Sequence, residues 1–170
     1  MELVELNELS ASDWAQLQDG EQNMWGSVGE SLHWGEKDRR LALRDEDGRL
    51  VAAAGVTIVP VEVDSAGSFD VVGLGGVVVT RTRRGEGLFW RVVEPVLELA
   101  GGLGPERAML FCRPELESLY AKAGFGRIEA PVWADQPGGR IEVPMSAMWR
   151  ALREGATWPA GRVDVRGLPF

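Results

Sequence analysis

The run from Val71 to Val79 constrains this chain more than any other segment. Val71-Val72-Gly73-Leu74-Gly75-Gly76-Val77-Val78-Val79 is apolar throughout and does not alternate with polar residues. A strand with one wet face alternates, whereas a strand without alternation is covered on both faces. The run therefore predicts a central strand with structure layered on either side. A second β-rich run, Leu50–Val63, precedes it, with a bend expected near Pro60 and a turn at Asp64–Ser68. Arg40–Arg44 alternates around Leu41 and Leu43. Asp45-Glu46-Asp47-Gly48 then supplies a turn whose glycine suits positive φ.

Helical signals flank these strands. Leu88, Val92, Val96 and Leu99 recur at helical spacing within Gly87–Ala100, and Pro95 predicts a kink or early break there. Arg107–Cys112 reads as a short strand. Pro114–Ala123 reads as a helix with proline in its first turn and Gly124 at its stop. Phe125–Ile128 and Ile141–Met145 read as further strands. At the N-terminus, Leu3–Leu6 predicts a strand, and Ser12 or Asp13 predicts the cap of a helix running through Leu17. Gly20–Lys37 reads as helix fragments and loop. Strands interleaved with helices over 170 residues give an α/β expectation: one domain spanning residues 1–170, with 145–170 as a C-terminal tail packed on it. Trp149, Trp158 and Phe170 in that tail would be costly left exposed.

Charge narrows the function. The formal net charge is -8, with 18 Lys and Arg against 26 Asp and Glu. That balance argues against nucleic acid, whose phosphates need clustered cations, and favours cationic partners. One cysteine excludes an intrachain disulfide, and one histidine beside it argues against a zinc site, so no metal is expected. No apolar run reaches the roughly 20 residues of a membrane helix, and Met1–Asp13 does not read as a signal peptide. The expectation is a cytoplasmic protein with no membrane partner.

The strongest local signal is Val77-Val78-Val79-Thr80-Arg81-Thr82-Arg83-Arg84-Gly85-Glu86-Gly87-Leu88, where a buried strand enters a basic glycine loop that opens a helix. The first N–H groups of a helix lack internal partners and carry the positive end of its dipole. Glycines let backbone approach a bulky anion, so the segment can cradle a diphosphate. It is not a P-loop, because Gly-Lys-Ser/Thr is absent. It is not a dinucleotide fingerprint, because Trp90 stands where the third glycine belongs.

This segment resembles the acetyl-CoA-binding motif of the GNAT superfamily of N-acetyltransferases, a strand followed by Gln/Arg-x-x-Gly-x-Gly/Ala and a helix. Gly85 and Gly87 match the glycines. Thr82 and Glu86 depart from the pattern, and Glu86 is expected to turn to solvent, away from a diphosphate. A second segment, Leu110–Phe125, resembles the family's strand, helix and Tyr-x-x-x-Gly-Phe at Tyr120, Gly124 and Phe125. The resemblance implies a mixed, largely antiparallel sheet of about six to seven strands flanked by helices. It implies acetyl-CoA, or another acyl-CoA, as co-substrate held by Val77, Val78, Val79, Arg83, Arg84, Gly85, Glu86, Gly87 and Leu88. It implies Tyr120 as general acid for the leaving thiolate. Cys112 beside Arg113 invites a nucleophile role, but that needs a base and the one histidine is far away in sequence, so Cys112 is expected to line the pantetheine tunnel. The expected reaction is acetyl transfer to a primary amine of a small acceptor, in a ternary complex. The alternative is a non-catalytic acyl-CoA-binding or sensing module. Family habit also suggests a homodimer.

The acceptor side is less determined. The strand before the loop carries no carboxylate where many GNAT enzymes place a base, which leaves His33, Asp70, Asp135, Glu142 and a Phe170 carboxylate as candidates. The tail, with its Asp135-Gln136-Pro137-Gly138 loop and tryptophans, loosely resembles the aminoglycoside 2′-N-acetyltransferase subgroup. That likeness implies a C-terminal aromatic, Phe170, and its carboxylate close to the acceptor. The expectation is that Trp25, His33, Trp34, Asp135 and the Phe170 carboxylate frame a cavity for a small amine.

Overall fold

The computed structural model describes residues 1–170 and contains a single ten-stranded sheet. In chain order the elements are β1 (Glu2–Leu6), α1 (Ala11–Gln18), α2 (Gly26–Ser31), β2 (Arg39–Arg44), β3 (Leu50–Val63), β4 (Gly67–Val79), α3 (Leu88–Gly101) and β5 (Arg107–Cys112). There follow α4 (Glu117–Lys122), β6 (Gly126–Arg127), β7 (Val132–Gln136), β8 (Gly139–Glu142), β9 (Ser146–Ala151) and β10 (Val163–Val165). The sheet order is β6-β9-β5-β4-β3-β10-β7-β8, with β2 also on β3 and β1 on β2. Only β4–β5 and β10–β7 pair parallel; every other neighbour is antiparallel. No helix is long and apolar enough to cross a membrane.

The sheet is mixed and largely antiparallel, as expected, but it has more strands than six or seven. The additional ones are short. β6 has two residues and β10 three, too few for a period-two pattern to show. Two stretches of residues 146–170 enter the sheet: β9 lies between β5 and β6, and β10 lies between β3 and β7. β4 is central, as its unbroken apolar run requires. Successive residues of neighbouring β5 point to opposite faces, so Ala108, Leu110 and Cys112 meet α3 and α4. Met109 and Phe111 meet the opposite layer, with Val163, Val165 and Phe170. On that second face Leu17 of α1 packs on Ala42 and Ala53.

Three local expectations are corrected. The α1 cap is Ser10, whose hydroxyl accepts from the Asp13 N–H while Asp13 accepts from Ser10, a reciprocal capping box. α3 runs unbroken through Pro95, because the missing hydrogen bond is outweighed by burial of Leu88, Val92, Val93, Val96 and Ala100. β3 continues through Pro60, which stays in register with Asp70 of β4.

Candidate active site

The site begins where β4 and β5 part. They pair only at Val72–Leu74 with Ala108–Leu110; beyond that β4 runs on to Val79 without its neighbour. A register shift between Ala53 and Gly55 of β3, where Ala54 alone faces Gly76 and Val77, marks a bulge in β4, and Gly76 takes a φ of 59° there. A cavity of about 770 Å³ fills the split. Leu88, Phe89, Cys112 and Tyr120 line it from the α3/α4 side, and Trp34, Phe111 and Phe170 line it from the other. The two faces of the sheet therefore communicate through the gap. From Gly75 to Val79 the exposed strand edge is roughly 13 Å long, at 3.3 Å per residue.

At the far end of β4, Gly87 caps α3 in the left-handed region (φ 76°), and Gly85 is also left-handed (φ 89°). No backbone carbonyl accepts from the N–H groups of Gly85, Glu86, Gly87, Leu88, Phe89 or Trp90; the first bonded amide is Arg91, to the Gly87 carbonyl. Six consecutive amides thus lie free at a helix N-terminus, a cradle for an anion. The departures from the family motif also find their partners. The Thr82 N–H and hydroxyl both donate to Asp19, at 2.8 and 2.7 Å, and hold the segment after α1 against the loop. Glu86 accepts from Arg83 Nε at 2.8 and 2.9 Å, and that hydrogen bond holds its carboxyl below the usual range. Arg84 pairs with Glu21 and donates to the Val79 carbonyl.

Tyr120 is 6 % exposed, packed edge-to-face on Phe89 and Phe125. Nothing in the chain bonds its hydroxyl. Yet the buried polar side-chain atoms left without a partner are Thr80 Oγ1 and Trp158 Nε1, so the phenol oxygen reaches the open space of the cavity. Burial, then the neighbouring Cys112, pushes the Tyr120 pKa up and keeps the phenol protonated. The Cys112 thiol, buried against Met148 Sδ, is pushed up to about 12, chiefly by burial and then by Glu117 and Glu115. It is a wall residue with no thiolate to attack.

Of the residues singled out from sequence, Val77, Val78, Val79, Arg84, Gly85, Gly87, Leu88, Tyr120, Trp25, Trp34 and Phe170 all line this one cavity. Arg83 and Glu86 do not; they pair with each other on the outer side of the loop. His33 is exposed, its side chain is off the cavity wall, and its main chain is clipped to the Gln136 amide. Asp135 is also off the wall, turned into an ion pair with Arg140 at 2.6 Å. Asp70 and Glu142 are exposed on β4 and β8, outside the cavity. Sequence reasoning missed Lys37, which is 8 % exposed on the cavity wall. Its one signal was rarity: Lys37 and Lys122 are the only lysines in a chain that otherwise uses arginine.

Residues 3–125 match the model of the acetyltransferase (GNAT) family. Glucosamine 6-phosphate N-acetyltransferase 1 of Oryza sativa subsp. japonica is 40% identical over 78 residues, 46% of this chain and 46% of that protein. The chain thus matches about half the length of this curated relative. Among solved structures, an Escherichia coli GNAT-family N-acetyltransferase in complex with CoA has a TM-score of 0.61 at 17% identity, over 98% of this chain and 94% of its own. A phosphinothricin acetyltransferase from Sinorhizobium meliloti in complex with acetyl-CoA has a TM-score of 0.55 at 16% identity, over 94% of both chains. With the family model spanning most of its length, the chain belongs to the acetyltransferase (GNAT) family.

Proposed function

We propose that this protein transfers the acetyl group of acetyl-CoA to a primary amine of a small acceptor, by direct attack in a ternary complex. The observation that carries the reading is the run of free amides from Gly85 to Trp90 at the foot of an unpaired strand edge. A diphosphate fits the amides, with Arg84 on the cavity wall beside it. An amide-bearing pantetheine arm fits the free edge at Val77–Val79, as an added strand would. The thioester then reaches the bulge at Gly75 and Gly76, with the Tyr120 hydroxyl facing the same space. The acceptor nitrogen attacks the carbonyl carbon, the C–S bond breaks, and the thiolate takes the phenol proton. The nitrogen's surplus proton returns through solvent to Tyr120. Trp25, Trp34 and Phe170 enclose the acceptor. The rice relative makes an amino sugar phosphate a first acceptor to try. The looser likeness to aminoglycoside 2′-N-acetyltransferases adds aminoglycosides.

A second reading, an acyl-CoA sensor without catalysis, draws on one observation. The only carboxylate side chain on the cavity wall is Glu36, which is turned to solvent and paired with Arg40, so no side-chain carboxylate faces the thioester. Thiol release from acetyl-CoA over an amine panel decides. In the transferase reading Tyr120→Phe folds normally, since its hydroxyl has no partner, binds CoA, and loses about a hundredfold in amine-dependent release. Tight CoA binding with no amine-dependent release in the parent protein favours the sensor.

A further inference from the structure

The walls of the cavity are cationic although the protein is acidic. Lys37, Arg40, Arg84 and Arg113 line it against the single carboxylate Glu36. Three of these cations already have partners: Arg40 has Glu36, Arg84 has Glu21, and Arg113 has Glu115. Lys37 alone has no carboxylate side chain within ion-pair distance. Its Nζ donates only to the Gly35 carbonyl, at 2.7 Å, leaving two N–H bonds unspent.

The sheet is shaped to hold this lysine. Gly55 of β3 and Gly75 of β4 are register partners. A Cβ on Gly55 would lie 2.8 Å from Lys37 Cγ, and one on Gly75 would lie 2.7 Å from Lys37 Cε. The aliphatic stem thus lies in a trough made by two facing glycines and delivers the amine to the bulge where β4 leaves β5. Phe170 bounds the same place. Its carbonyl carbon lies 2.5 Å from where a Gly75 Cβ would stand, and its ring is equally close over Gly73. A buried cation with spare donors, at the acceptor end of a cavity, is costly unless an anion completes it.

We propose that Lys37 is an anion-recognition residue of the acceptor site, so that the acceptor is an amine that also carries a carboxylate or a phosphate. This rests on the acetyl-transfer reading and adds to it the substrate class. It reverses the expectation from net charge, because the surface is acidic while the site is cationic. The low dielectric that penalises the bare lysine strengthens its hydrogen bonds to a bound anion. Burial, then repulsion from Arg40, lowers Lys37 to about 8 against the pull of Glu36 and Asp38.

The test uses matched acceptors in the thiol-release assay: glycine against glycinamide for the carboxylate, glucosamine 6-phosphate against glucosamine for the phosphate, and an aminoglycoside as the polycation. One anionic member is expected to exceed its neutral partner in kcat/KM by about tenfold to a hundredfold, the worth of one charge-assisted hydrogen bond, mainly through KM. Which pair shows the preference tells carboxylate from phosphate. Lys37→Met is expected to collapse that ratio toward one. A preference for neutral or polycationic acceptors overturns the proposal. So does a Lys37→Met variant that lowers both members of a pair alike, the behaviour of a lysine that merely anchors the Phe170 main chain. If no amine is turned over, the transfer reading fails by itself. The anion subsite is then read by calorimetry of glycine and glucosamine 6-phosphate on the CoA-loaded protein: binding abolished in Lys37→Met sustains it, and no binding by the parent protein overturns it.

Discussion

Replacing Lys37 with methionine should stabilise the protein while impairing its site. The lysine titrates at about 8 when folded, against an ordinary 10.5. Below pH 8 the folded state must therefore hold a proton that the unfolded chain holds more comfortably. At 1.36 kcal/mol per pH unit the penalty is about 3 kcal/mol. Methionine keeps the unbranched stem that lies over Gly55 and Gly75, and removes the charge. It also forfeits the bond to the Gly35 carbonyl, worth about 1 kcal/mol. The balance is a gain of about 2 kcal/mol near pH 7, or about 4–8 °C in Tm for a chain of this size. The pH dependence fixes the cause. Between pH 8 and 10.5 the unfolded lysine still binds its proton and the folded one does not, so the parent protein gains stability as pH rises. The variant lacks that gain, and the gap between the two should close by about pH 10.5. Thermal unfolding by circular dichroism at pH 7 and 10, taken as the difference between variant and parent, cancels the other titrating groups. A variant less stable than its parent at pH 7, or a gap that ignores pH, would mean that the lysine is not a buried charge held at a cost.

Gly73→Ala should cost about 1–3 kcal/mol, read by the denaturation midpoint, because its Cβ would come within 2.5–2.9 Å of the Phe170 ring and force that ring out of the cavity wall. A variant as stable as the parent would show that the ring is not fixed there. Glu86→Gln should tighten CoA binding by a few-fold, since it removes a negative charge beside the loop and releases Arg83; the gain should shrink at high salt. Calorimetry at two ionic strengths checks this, and weaker binding would mean that the Arg83–Glu86 pair shapes the loop.

Much of the frame was legible in the chain. Val71–Val79 announced a strand buried on both faces, and α3 followed from Leu88, Val92, Val93 and Val96. These signals are local and repeat several times. β9 and β10 were not legible, because short segments among glycine, proline and tryptophan acquire strand geometry only from partners far away, Arg107–Cys112 and Val61–Val63. The cofactor end of the site could be read because loop and helix are contiguous in sequence. The acceptor end could not. Lys37 matters through Gly55 and Gly75, and Phe170 through Gly73, contacts that only the folded sheet creates. Asp135 and His33 had the right chemistry, but an arginine and the Gln136 amide engage them elsewhere.

Every step proposed for the chemistry depends on the free amides from Gly85 to Trp90 receiving the diphosphate of acetyl-CoA. Amide resonances followed by NMR during titration with CoA report on those groups one by one. Saturable shifts are expected, largest at those six residues and continuing along Val77–Val79. Binding that shifts amides elsewhere and leaves Gly85–Trp90 unmoved, or no binding at all, would contradict the assignment of the loop.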